Sequence, residues 1–166
     1  MKPAPKIQVH AFTQKCEQRA RTLINEVHIF RDNPSIIRDA CRNTYRALWD
    51  TGATGTVISR KVVEQCDLLP IGVKTTHTAN GQRLCNEYLI SLILPNKILV
   101  PDIRVIDATL FGFDVLIGMD VITLGDFAIT NFEGRSTFSF RIPSIECIDF
   151  APNELPPEKR LLPDAT

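Results

Sequence analysis

The sequence lacks most of what would mark a partner for nucleic acid or membrane. Its 166 residues carry 19 Lys and Arg against 19 Asp and Glu, a formal net charge of zero, and no basic stripe gathers locally. A nucleic-acid binder normally shows such a stripe. Long apolar runs are missing too, because Asp114, Asp120 and Asp126 interrupt the most hydrophobic stretch. No segment approaches the roughly 20 apolar residues that cross a bilayer as a helix. Lys2 and Lys6 are not followed by an apolar block, which argues against a secretory leader. The expectation is a soluble, cytoplasmic chain, long enough to bury a core as one domain, with no nucleic-acid or membrane partner.

Cysteine is sparse and unpatterned. Cys16, Cys41, Cys66, Cys85 and Cys147 are five in number, an odd set with no Cys-x-x-Cys pair, so neither a disulfide framework nor a zinc site is legible. His10, His28 and His77 are equally scattered. No metal and no cofactor is expected, and the thiols suit a reducing compartment.

What the chain does have is many short segments punctuated by Gly and Pro. Residues 21–30 read as a strand, with Leu23, Val27 and Ile29 on one face, and residues 31–42 as an insertion that is either a short helix or irregular. Residues 45–49 read as a strand running straight into Asp50. Ser59 stands where it would cap a short helix over 60–66. Residues 73–79 and 82–94 are β-rich and joined through Asn80-Gly81, a dipeptide that tolerates the positive φ of a tight hairpin turn. Residues 98–106 and 113–117 are β-like, and 119–124 form a short helix closed by Gly125. Residues 127–130 and 137–142 flank Glu133-Gly134, and Phe138, Phe140 and Ile142 alternate with Ser139 and Arg141 as in a half-buried strand. Pro152, Pro156, Pro157 and Pro163 mark 151–166 as a flexible tail. The fold class expected is mostly β with one or two short helices. The domain expected covers 21–150, after an N-terminal extension over 1–20.

The chemistry concentrates at Asp50-Thr51-Gly52-Ala53. An acidic residue follows an apolar strand and sits on a tight Gly turn beside a hydroxyl, so the backbone holds the carboxylate at a strand end. A surface turn also favours Asp and Gly, and two further features weigh against that plain reading. One is Leu116-Ile117-Gly118, an apolar strand ending in Gly before a helix; the other is the hairpin between it and Asp50.

In this order the three features resemble the retropepsin-like aspartic proteases, and most closely the bacterial retroviral-like aspartyl proteases, over residues 45–142. The resemblance implies an acid-protease half-barrel with a β-hairpin flap, forming a two-fold dimer. It implies that Asp50 is the catalytic carboxylate, that Thr51, Gly52 and Ala53 support the dyad, and that Leu116, Ile117 and Gly118 thread beside the catalytic loop. It also implies that His77, Thr78, Ala79, Asn80 and Gly81 form the flap over a peptide or protein substrate. The chain departs from the viral pattern at Thr54 and Gly55, where acidic residues often stand, and in the insertion at 31–42.

Hydrolysis of a peptide without a covalent intermediate needs one carboxylate to take a proton from water and a second acid to give one. Two such groups divide a single proton, since both cannot ionise cheaply side by side. One Asp-Thr-Gly per chain therefore implies a homodimer with Asp50 contributed twice. The alternating Phe138, Phe140 and Ile142 are expected either at that interface or in the chain's own core. Two rival readings remain at this level. One is a catalytically idle peptide-binding or dimerisation module of the same fold. The other is a nucleotide-binding loop at Thr51–Gly55 like that of short-chain dehydrogenases, although Ile58 stands where the third glycine belongs and no Tyr-x-x-x-Lys follows.

Overall fold

The computed structural model describes residues 8–31, 43–78 and 81–149. The expected insertion, apart from Arg31, and the expected tail lie outside these residues. Among the described residues, ten strands and two short α-helices follow one another: β1 (His10–Lys15), β2 (Ile24–Phe30), β3 (Thr44–Trp49), β4 (Val57–Ser59), α1 (Arg60–Gln65), β5 (Gly72–Thr78), β6 (Gly81–Leu94), β7 (Ile98–Ala108), β8 (Val115–Ile117), α2 (Met119–Ile122), β9 (Asp126–Phe132) and β10 (Arg135–Ile142). A 3-10 turn at Pro95–Lys97 joins β6 to β7.

The strands form two sheets. The larger runs β2-β3-β8-β4-β7-β6-β5, and an additional β2–β6 pairing closes six of its strands on themselves, leaving β5 outside as one arm of a hairpin. Closure leaves those strands without open edges. Alternation explains which faces turn inward: Asn25, Val27 and Ile29 of β2 and Tyr45, Ala47 and Trp49 of β3 are buried while their neighbours are not. Period-two burial of this kind is what a one-sided strand requires. In β7 the inward set switches from Ile98 and Val100 to Ile103 and Val105. The switch falls at Asp102, whose φ is +54°, and its N–H donates to the Ser91 hydroxyl.

The smaller sheet is β1-β10-β9. Phe12 of β1 and Phe138 and Phe140 of β10 pack as tilted and edge-on rings around Trp49 and Phe127. Such pairs add to plain area burial by about 0.5–1.5 kcal/mol each. Phe138 and Phe140 are fully buried within the single chain, and Ile142 packs against the same core. Of the two places expected for these residues, Phe138 and Phe140 take the chain's own core, and Ile142 is partly buried at its margin. Residues 10–15, inside the stretch set apart as an extension, contribute a core strand.

Two local expectations also change. Ser59 precedes α1 as foreseen, yet its hydroxyl makes no capping bond. The β5–β6 hairpin register pairs Thr78 with Gly81, so the connecting residues are 79 and 80, which lie outside the described residues. Gly81, expected within the turn, stands in the first pair of the ladder with φ of +105°.

Candidate active site

Asp50 lies at the end of β3, where the parallel neighbour β8 matches Trp49 with Ile117. Its N–H donates to the Ile117 carbonyl at 2.9 Å and its own carbonyl accepts the Ala53 N–H at 3.2 Å. The chain thus leaves the sheet through a tight turn. The Gly52 N–H donates to Asp50 Oδ1 at 2.8 Å, and charge-assisted bonds of this kind orient a carboxylate. A Cβ at Gly52 would sit 3.2 Å from that same oxygen, so a side chain there would press the carboxylate a few tenths of an ångström out of this position. Asp50 is half-buried, while Thr51 and Gly52 are exposed.

The loop is clasped from the other side by the segment after β8. Met119 N–H donates to the Ala53 carbonyl at 2.8 Å and Asp120 N–H to the Thr54 carbonyl at 3.2 Å. Gly118 fits beneath the loop because it has no side chain. A Cβ there would lie 2.6 Å from both the carbonyl carbon and oxygen of Gly55, a collision with backbone that no rotamer relieves. Leu116, Ile117 and Gly118 are thus brought against Asp50–Gly55.

Two side chains complete the clasp. Thr56, almost fully buried, donates its hydroxyl to Asp120 Oδ1 at 2.8 Å and accepts the Gly118 N–H at 3.2 Å. Its N–H donates to Asp120 Oδ2 at 2.9 Å, and Asp120 Oδ1 also accepts the Val121 N–H at 3.0 Å. Asp120 lies in the first turn of α2. Its bond to Thr56, 64 positions away, was missed, as was Thr56 itself. A hydroxyl residue six places after Asp50 and an acid two places after Gly118 were the only signals present.

Behind the loop, Trp49 Nε1 donates to Asn25 Oδ1 at 2.8 Å, and Asn25 in turn donates to the Gln14 side chain. The indole beside Asp50 is therefore fixed by β2 and β1 together. The five candidate flap residues are not all described: His77 and Thr78 end β5, Gly81 begins β6, and Ala79 and Asn80 lie outside the described residues. No group of three or more His, Cys, Asp or Glu side chains converges as a metal site among the described residues. The nucleotide-loop reading is overturned, because Gly55 leads into strand β4 and not into a helix N-terminus that would receive a phosphate.

A largely closed β-barrel carrying one Asp-Thr-Gly loop, clasped by an apolar-apolar-Gly segment and accompanied by a long hairpin, has the architecture of the one-lobed acid proteases. Residues 42–123 match the family described as "gag-polyprotein putative aspartyl protease". No protein of curated function matches the sequence. The crystal structure of a retropepsin-like aspartic protease from Rickettsia conorii superposes with a TM-score of 0.52, covering 81% of this chain and 95% of that one at 12% identity. The solution structure of Simian Foamy Virus (mac) protease gives 0.42, with 59% and 89% covered at 19% identity. The retroviral protease-like domain of Ddi1 from Leishmania major gives 0.38, with 62% and 78% covered at 13% identity. The family match thus spans residues 42–123, and the fold is that of the retropepsin-like aspartic proteases.

Proposed function

We propose that the protein is an aspartic endopeptidase in which Asp50 of two identical chains activates the water that cleaves a peptide bond. The observation that carries this reading is the setting of Asp50. Its backbone is tied to Ile117 and Ala53, and one carboxylate oxygen is engaged by the Gly52 N–H. Thr51 and Gly52 beside it remain exposed, where a second copy of the loop can meet them.

In this mechanism the two Asp50 carboxyls share one proton. The ionised member takes a proton from water as the oxygen attacks the scissile carbonyl carbon. The protonated member gives its proton to the carbonyl oxygen, and collapse of the tetrahedral species sends a proton to the departing amine. An extended substrate would lie between the loops and the β5–β6 flap, pairing through its main chain and placing alternate side chains in pockets. His77, Thr78, Ala79, Asn80 and Gly81 are assigned to that flap. Residues 21–150 form the catalytic domain in this reading, with 31–42 inserted, 151–166 appended, and β1 packed onto the same core. A bacterial, cytoplasmic setting is part of the proposal, its cytoplasmic half supported by an odd cysteine count with no Cys-x-x-Cys spacing. None of the described helices is long and apolar enough to cross a membrane.

The test is Asp50→Asn incubated with a diverse peptide library, with cut sites read by mass spectrometry. Hydrolysis should fall by orders of magnitude while the melting temperature holds. A variant that keeps most of the wild-type cleavage would remove Asp50 from the mechanism.

A further inference from the structure

We propose that Arg83 and Lys74, on the inner face of the β5–β6 hairpin, select peptides that carry acidic side chains close to the bond that is cut. The inference rests on the proposed roles of Asp50 as catalyst and of the hairpin as its flap, and it names the substrate class of that same site.

The register of the hairpin fixes which side chains travel together. Lys74 pairs with Cys85 and Thr76 with Arg83, while Val73 pairs with Asn86 and Thr75 with Leu84. Directly paired residues share a face, and neighbours along a strand take opposite faces. One face therefore holds Lys74, Thr76, Arg83 and Cys85, and the other Val73, Thr75, Leu84 and Asn86. Burial tells the two apart. Cys85 is buried and Thr76 half-buried, whereas all four residues of the second face are exposed. The face with the two cations is thus the one turned toward the body of the chain. A cavity of about 110 Å³ at the margin of the hairpin is lined from both faces and brings Arg83 up to Arg60 and Asp107 of the body.

Neither cation is neutralised. Among the described residues no carboxylate lies within ion-pair distance of Lys74 or Arg83. The acids at the root of the hairpin are committed elsewhere. Glu87 meets Arg104 at 3.1 Å, and Asp107 accepts the Asn86 N–H at 2.9 Å with Arg60 3.9 Å away. In the Asp50 loop Thr54 and Gly55 are exposed and uncharged, and Asp120 behind it has both oxygens on Thr56. Asp50 apart, the hairpin face and the loop offer these cations no countercharge.

A cleft roofed by unpaired cations favours a substrate that brings the missing negative charge. Complementarity of this kind sets specificity more than raw affinity, and a pair gains weight where water is excluded beneath a closed flap. Arg83 stands two positions from Gly81, about 7 Å along a strand. An extended peptide advances at the same rise, so Arg83 meets a side chain about two residues from the position under the tip. In the proposed dimer each chain supplies a flap, which places the preference on both sides of the cut.

The test uses twin apolar peptides that differ only in carrying Glu or Gln about two residues from the centre. Wild type should favour the Glu peptide about fivefold or more in kcat/KM, and the ratio should fall as salt screens the charges. Arg83→Gln should bring the ratio near one and Arg83→Glu should reverse it. Leu84→Glu places the same charge on the outer face and should keep the wild-type ratio. Fluorescence anisotropy of the labelled twins on Asp50→Asn chains, with and without Arg83→Glu, reads the selection in the absence of cleavage and should give the same order. Twins cut alike by wild type, or a Glu preference that survives Arg83→Glu, would overturn the proposal while the Asp50 reading stands. Twins that are neither bound nor cut would overturn both. A Glu preference in binding that Arg83→Glu abolishes, in a protein that cuts neither twin, upholds the charge selection and overturns the catalytic reading instead.

Discussion

Thr56 and Asp120 hold each other by two bonds, main-chain N–H to Oδ2 at 2.9 Å and hydroxyl to Oδ1 at 2.8 Å. The same hydroxyl accepts the Gly118 N–H. One buried oxygen thereby ties the loop that carries Asp50 to the start of α2.

This predicts a graded response at position 56. Thr56→Val keeps the shape but strands the Gly118 N–H and one lone pair of Asp120 in a buried place. Leaving such groups unsatisfied costs about 1–3 kcal/mol each, so stability should fall by about 2–4 kcal/mol and peptidase activity with it. Thr56→Ser restores the hydroxyl and should recover most of both. Chemical denaturation and turnover, measured on the two variants together, check this. A Thr56→Val protein as stable and active as Thr56→Ser would show that the relay contributes nothing.

The parts that were legible in the sequence are those whose signal is local. The strand into Asp50, the segment ending at Gly118 and the β5–β6 hairpin each announce themselves within a few residues, by apolar runs and by glycine. The alternation of Phe138 and Phe140 correctly marked one buried face but could not say what covers it, because the covering residues, Phe12 and Trp49, come from distant strands. β1 was unreadable for a related reason: in His10–Lys15 only Phe12 is fully buried, and a single apolar residue makes no period. The Thr56–Asp120 clasp spans 64 positions, and a polar pair so far apart has no pattern until the fold brings it together.

Gly81 offers a second prediction, on the hairpin proposed as the flap. Its φ of +105° suits glycine, and a Cβ built there meets nothing within 4 Å. Gly81→Val therefore introduces backbone strain without a steric clash, of about 1–2 kcal/mol. Because Gly81 is exposed and pairs at the turn end of the hairpin, the strain can be relieved by reshaping the tip alone. The melting temperature should move little, while kcat/KM for a cleavable peptide should drop at least tenfold. Parallel losses of stability and activity would mean that the hairpin is a structural arm and not a flap.

The last prediction concerns acid. Asp126 begins β9, and its carboxyl is held below the ordinary value of 3.8 by hydrogen bonds from Ser144 and Arg141, with the Ile145 N–H and the Arg141 charge adding to them. The folded chain thus binds this proton less tightly than the unfolded chain does. The linked stabilisation is complete above the unfolded value near 3.8 and is lost as pH falls through the lower folded value. Asp126→Asn removes the titrating group and weakens the tie to Arg141, so the variant should melt lower than wild type near neutrality. The gap should close on acidification, because only wild type has this contribution to lose. Melting curves taken from pH 7 down to about pH 2 would test it, and a gap that stays constant over that span would show that Asp126 does not couple folding to protons.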